Sequence, residues 1–305
     1  MKIKFGCGTF NLIWNDLIND VIGTEIEFED GYSELAEELN KQTFTVDQLS
    51  ESSYFKMCGI NNSNLKSQIE LGIKNKFNET SEILDKINWG NEQSYILYAM
   101  LKKEFNYLEK FQTLDDDTFG DSNEKVKYFG IEPDTAQDAS KNIEILFYNS
   151  TEDFAIKLKT QEGEEVYLYK TTGEGKSFEE VYQEMLAKQL QYGEETIWNQ
   201  NDVLKIPYIY LKSEINYDEL CGRYIKGSKY YISQAIQTVN FELNNYGGSV
   251  ESEALIEVYQ KAITGTKREF IFNNDFIIYL KEENKEQPYF ALKVDNIDIL
   301  ELSDS

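Results

Sequence analysis

Eight consecutive residues without a charge, Ser94 to Leu101 (SYILYAML), set the first limit on the fold. Eight is the length of a strand and too short for an ordinary core helix. An unbroken apolar run, rather than an alternating one, marks a strand covered on both faces. A sheet with a layer on each side is therefore expected.

The other segments fit around such a sheet. Residues 2–14 (KIKFGCGTFNLIW) read as a strand. Residues 32–42 read as an amphipathic helix with Leu35 and Leu39 on one face, and Asn64 is the expected cap of a helix carrying Leu65, Ile69 and Ile73. Beyond the apolar run, strands are expected at 125–129, 143–148, 154–160 and 164–170. A turn and cap at 171–177 precede a helix at 178–190, and strands resume at 204–215, 230–244, 269–283 and 289–296. No internal repeat or Pro/Ser linker divides the chain. The expected class is α+β, organised as a single domain over 1–305. Residues 247–268 (GGSVESEALIEVYQKAITGTKR) form a long connection between two strong strands, and connections of that length tend to be functional.

Composition removes most chemistry. The chain has no histidine, which excludes Ser-His-Asp and Cys-His nucleophiles and every His-ligated metal site. Fifty-five acids against 30 bases give a net charge of −25, a surface that repels nucleic acid and anionic lipid. Cys7, Cys58 and Cys221 are widely spaced and form no CxxC, so three buried free thiols are expected. Asp115-Asp116-Asp117 leads into Gly120 and Asp121 but places Phe119 and Val126 where a calcium loop needs oxygen ligands; a solvated acidic turn is expected instead. Gly6-Cys7-Gly8 and Gly173-Glu174-Gly175 lack the residues that complete a phosphate cradle. Carboxylate pairs in so acidic a chain arise by accident. No enzyme, cofactor or metal is expected.

The order of elements resembles the serpin family, the loop-inserting protease inhibitors. Residues 63–105 are similar to that family's helix over the central sheet followed by the sheet's long third strand, with Phe105 at a position usually held by tryptophan. Residues 116–129, 204–220 and 231–249 resemble its next conserved stretches, and 270–294 match its C-terminal strands nearly position by position. The likeness covers roughly residues 2–296 and is strongest in the last hundred. It implies a serpin-like architecture with a large central mixed or antiparallel sheet, truncated at the N-terminus.

It also implies a reactive centre loop. The hinge would comprise Gly247, Gly248, Ser249 and Val250, and family spacing would put the scissile bond at Lys261–Ala262, with Lys267 and Arg268 as alternative baits. A lysine bait implies a trypsin-like serine protease as partner. On one parity of the loop lie Gly248, Val250, Ser252 and Ala254, all small and uncharged; on the other lie Ser249, Glu251, Glu253 and Leu255. That alternation permits insertion into a sheet, and an exposed strand bearing gatekeeper charges would look the same.

Departures from the family set further expectations. Its first helices, including the one beneath the sliding part of the sheet, find no counterpart here, so either a rearranged packing or a partner protein is expected to cover exposed sheet. Gln237 and Leu97 replace a histidine and an asparagine, so the polar latch of the sheet is expected to be lost. Two functional readings stay open: a protease inhibitor, or a non-inhibitory protein that binds a partner without inserting its loop. No signal peptide or membrane-spanning run is visible, which suits the cytoplasm, whereas the resemblance implies an extracellular protein.

Overall fold

The computed structural model describes residues 4–133, 138–194, 196–248 and 266–303. In chain order the elements are β1 (Lys4–Cys7), α1 (Thr9–Asp16, continued by a π-helical turn to Ile22), α2 (Glu34–Asn40), β2 (Tyr54–Ile60), α3 (Ser63–Phe77), α4 (Ile83–Lys86) and β3 (Ser94–Lys102). Then come β4 (Phe105–Asn106), β5 (Gln112–Thr118), β6 (Lys125–Ile131), β7 (Ile143–Ser150), β8 (Asp153–Lys159), β9 (Glu164–Lys170) and α5 (Phe178–Tyr192). The last third holds β10 (Val203–Pro207), β11 (Ile209–Asn216), β12 (Tyr231–Leu243), β13 (Gly247–Gly248), β14 (Glu269–Ile271), β15 (Phe276–Glu282) and β16 (Phe290–Val294). These elements form two compact units: Cys7–Lys103 with Lys212–Asn240, and Met1–Gly6 with Glu104–Leu211 and Phe241–Ser305.

The first of these units is built on a sheet of order β11-β12-β3-β2. The charge-free run is β3, and Ser94 to Leu101 are all buried. Alternation then sends its side chains into two cores. Tyr95, Leu97 and Ala99 join Ile232 and Ala235 in a cluster with Phe10, Ile13, Trp14, Leu17 and Ile18. Ile96, Tyr98 and Met100 join Ile236 in a second cluster with Leu65, Ile69 and Ile73 of α3. Both faces of the central strands are thus covered from within the unit, which corrects the expectation of exposed sheet awaiting a partner.

The cover on one face is a helix where a strand is expected. Of the described residues of segment 2–14, Lys4–Cys7 are extended and Thr9 onward is helical, α1 running to Asp16. The reason is the spacing of Phe10, Ile13, Trp14, Leu17 and Ile18, which repeats as i, i+3, i+4, i+7, i+8 and makes one stripe on a helix but no single face of a strand. The expected absence of a helix beneath the sheet is corrected with it, since α1 packs on β2 and β3. On the other face, α3 is capped by Asn62, whose side chain accepts a hydrogen bond from the Leu65 amide at 2.9 Å, not by Asn64. It ends at Asn78 in the left-handed region, with Lys74 and Lys76 placed favourably in the last turn.

In the other unit a six-stranded sheet, β1-β16-β15-β9-β8-β7, carries α5 on one face. Val181, Tyr182 and Met185 of α5 pack on Phe147, Tyr167, Tyr169 and Tyr279. Ser177 and Glu180 close a capping box at the start of α5, as the sequence anticipates. A second sheet of order β14-β10-β6-β5 packs through aromatic rings, Phe270 lying 5.3 Å from Phe154 edge to face. Two segments read as single strands are each two. Residues 204–215 leave one sheet at Pro207 and enter another at Ile209, and 269–283 break between Ile271 and Phe276. The acidic run 115–117 is part of β5 rather than a turn: Asp117 pairs with Lys205 at 2.7 Å and Asp116 accepts from the Ser303 hydroxyl.

Trp14 is fully buried and its indole N–H reaches Asn40 Oδ1 at 3.0 Å. Trp14→Ala is expected to cost about 3–5 kcal/mol in urea unfolding; a loss near zero would show that α1 is not seated on the core.

Candidate functional site

Residues 249–265 lie outside the described residues, and with them Ser249, Val250, Lys261 and Ala262. What the structure gives is the two arms that bracket them.

The upstream arm begins where β12 ends at Leu243 and the chain reverses over Asn244–Gly247. The turn is closed by the Asn244 amide donating to Gly247 O at 2.9 Å, while Asn244 Oδ1 accepts from the Tyr246 and Gly247 amides at 2.8 and 3.1 Å. Such a side-chain mimic of a backbone turn is what asparagine does best. The turn is then tied to the segment after β4: Phe111 N donates to Asn245 O and Tyr107 N to Tyr246 O, each at 2.9 Å. The Lys110 ammonium bonds the Tyr246 hydroxyl and lies 3.7 Å from its ring centre. Gly247 and Gly248 pair antiparallel with Asn106 and Phe105 as the ribbon β13–β4. Gly247 has φ +139°, and a Cβ there would stand 2.3 Å from Phe105 O, so only glycine fits. The backbone at this position thus requires glycine, whatever role the residue has.

The downstream arm is Thr266–Arg268 leading into β14, which runs parallel to β10. Of the two alternative baits, Lys267 is half exposed and pairs with Glu269 at 2.6 Å. Arg268 is only 5% exposed, and its guanidinium meets the fully buried Asp202 at 2.7 Å. A bait must be offered to solvent; Arg268 is instead folded into the unit.

Within the other unit, β12 pairs with β3 in parallel from Tyr231 opposite Ser94 to Asn240 opposite Lys102, with one irregularity between Ile232 and Gln234. Gln237 lies in this ladder, fully buried. Its Nε2 donates to Thr9 Oγ1 at 2.8 Å and to Cys7 O at 3.3 Å, and its Oε1 accepts from the Tyr217 hydroxyl at 2.7 Å. These bonds join β12 to the start of α1 and to the segment after β11, and none of them reaches β3. Leu97 is apolar and buried in the α1 cluster, so this pair supplies no polar latch across the ladder, as expected. Sequence reasoning missed the network that Gln237 does make because the residue was compared with a histidine rather than asked which partners a buried amide must find.

The three cysteines are free and half-buried. Burial pushes the thiols of Cys7 and Cys221 up to about 11 and that of Cys58 to about 12, so they are poor nucleophiles at neutral pH. Among the described residues, no group of three or more Cys, Asp or Glu gathers closely enough to hold a metal ion. Asp275 and Asp295 share one cleft, but Lys293 stands 3.3 and 4.0 Å from them.

No family model matches the sequence, and no curated protein matches it. Solved structures do. A highly specific serpin of the insect Tenebrio molitor superposes with TM-score 0.59 at 11% identity, covering 98% of this chain and 93% of its own. A serpin from the trematode Schistosoma haematobium gives 0.57 at 12%, covering 97% and 94%. Human thyroxine-binding globulin, complexed with thyroxine, gives 0.55 at 12%, covering 97% and 92%. The chain has the serpin fold. At these identities the likeness establishes fold alone, and it spans both a specific serpin and a thyroxine-binding protein.

Gln237→Leu leaves the Tyr217 hydroxyl and Thr9 without their partner. It is expected to lower stability by about 1–3 kcal/mol in chemical denaturation; no loss would mean that the amide network does not tie β12 to the start of α1.

Proposed function

We propose that the protein inhibits a serine protease of trypsin-like specificity, with Lys261–Ala262 as the bond offered. After attack, the loop N-terminal to the cut adds to the sheet of β2, β3, β11 and β12 as a new strand. The carrying observation is the parallel pairing of β12 with β3. The loop follows β12 through a tight reversal at Asn244–Gly247. A strand that turns back on β12 runs antiparallel to it, and therefore antiparallel to β3 as well. Entry between them replaces one parallel ladder, the slightly weaker kind, by two antiparallel ones. The closed sheet is then a trapped state whose release performs the work on the protease.

Other features support this reading. The small, uncharged parity of Gly248, Val250, Ser252 and Ala254 suits a side of the new strand that must be buried. Lysine at 261 suits a protease pocket that binds a cation. The similarity to thyroxine-binding globulin keeps a second reading, binding of a partner without insertion, and the β13–β4 ribbon favours it, since its bonds must break before the loop can enter.

Incubation with trypsin separates the two. An inhibitor yields an SDS-stable adduct joined through residue 261. Its cleaved form melts roughly 10 °C or more higher, given about 2–4 °C per kcal/mol in a chain of this size. Lys261→Glu abolishes the adduct. Cleavage with neither adduct nor gain in melting temperature leaves the binding protein.

A further inference from the structure

Adjacent residues of β12 face opposite sides of the sheet, so Gln237 and Thr238 meet different neighbours. Gln237 finds Thr9, Cys7 and Tyr217. Thr238 shares its face with Ile236, which joins Tyr98 and Met100 of β3 in the α3 cluster. In the ladder Ile236 lies opposite Tyr98, and Thr238 opposite Met100. Tyr98 is fully buried and Thr238 is 5% exposed. The segment after α3 covers them, its Leu84 and Ile87 lying in the same cluster. The hydroxyls of Ser81, in that segment, and of Thr238 both stand beside the Tyr98 hydroxyl, which burial pushes up and so keeps protonated. All three oxygens are sealed from solvent, yet none makes a hydrogen bond to a described residue. Asn240 Oδ1, next along the same face of β12, is sealed and unbonded among the described residues as well. The apolar packing of this face thus gives way to a polar strip where β12 passes beneath the segment after α3.

A hydroxyl carries one donor and two acceptor sites, and burying it without a partner costs the whole of its lost hydration. One such group in a core is a local cost. Three that meet at one point share a need, and a common partner can meet it. They do not serve one another, since no pair among them has the geometry of a hydrogen bond. The partner must be small enough to enter a packed core and must offer both donors and acceptors. An ion would need a countercharge, and three hydroxyls supply none. Water has two donors and two acceptors, and internal waters typically make about three bonds to groups of this kind.

We propose that Tyr98, Thr238 and Ser81 bind an internal water molecule, which joins β3, β12 and the segment after α3 through their hydroxyls. The water supplies, on the α3 face, the polar connection between β3 and β12 that Leu97 and Gln237 do not make on the α1 face. The two faces of β12 are then satisfied by different means: Gln237 by protein groups, Thr238 by bound solvent. The site lies wholly within one unit and involves neither the loop nor a protease, so it stands or falls apart from the inhibitory reading.

Thr238→Val and Tyr98→Phe each remove one hydroxyl with little change of shape, and both new residues suit a strand. With a water bound, each variant is expected to melt about 2–6 °C below wild type. The double variant is expected to lose clearly less than the sum, because the first substitution already weakens the hold on the water. If the hydroxyls hold no water, each substitution takes an unsatisfied polar group out of the core, and melting temperatures stay level or rise. That result overturns the site. Losses that add in full would mean that the two hydroxyls have separate partners, which overturns it too. A high-resolution crystal structure of the wild-type protein tests the same point without any variant. A solvent peak within hydrogen-bond distance of all three oxygens is expected; hydroxyls bonded directly to one another, or no such peak, refute the proposal.

Discussion

The parallel ladder between β12 and β3 is the constraint around which the unit that contains it is arranged. Parallel neighbours cannot be joined by a short turn, so their partners in sequence lie far off: β3 runs from Ser94 and β12 from Tyr231. Apolar side chains pack both sides of the ladder, the α1 cluster on one face and the α3 cluster on the other. Its one fully buried amide side chain, Gln237, is satisfied by Thr9, Cys7 and Tyr217. Parting β12 from β3 therefore exposes apolar surface on two faces, while the amide network holds β12 to the start of α1 and to the segment after β11. Apolar surface opened on two faces makes such a sheet slow to part.

Local signals in the sequence were read well where one physical cause acts alone. The run 94–101 announces a strand covered on both faces because nothing in it tolerates water, and every one of those residues is buried. The strand at Glu164–Lys170 and the cap before the helix at 178–190 were legible from local pattern as well. Errors arose where two signals adjoin without punctuation. At the N-terminus the strand pattern of Lys4–Cys7 runs directly into the helical stripe that starts at Phe10, and the longer reading absorbed the helix. At Pro207–Ile209 the chain changes sheets within a single residue, and the one mark of the break, the proline, was read through.

The polar contacts around the loop were not legible at all, and distance in sequence is the cause. Gln237 finds Thr9 across 228 positions, and Arg268 finds Asp202 across 66. Nothing local distinguishes these side chains from the many surface charges of an acidic chain. Arg268 reads as an alternative bait because the connection is longer than the family's usual loop, and only its buried carboxylate partner shows that it is folded in. Gly247 differs in kind: its requirement is set by the backbone, through φ +139° and the nearby Phe105 carbonyl, and glycine is the residue by which a sequence declares such a requirement.

The absence of histidine bears on how such a sheet responds to pH. A buried imidazole in the ladder would make its strength change near neutral pH. A glutamine bonds the same kinds of groups and never titrates. The thiols are pushed up to about 11 and 12 by burial, and the displaced carboxylates, among them Asp117, Glu165, Glu180 and Glu184, are moved down by lysines and capping hydrogen bonds. A carboxylate held low adds stability that is present above its unfolded pKa and is lost only as pH falls through the lower folded value, well into acid. Around neutrality these groups keep their charge, and the bonds of Gln237 to Thr9, Cys7 and Tyr217 beside the ladder involve no group that changes charge there.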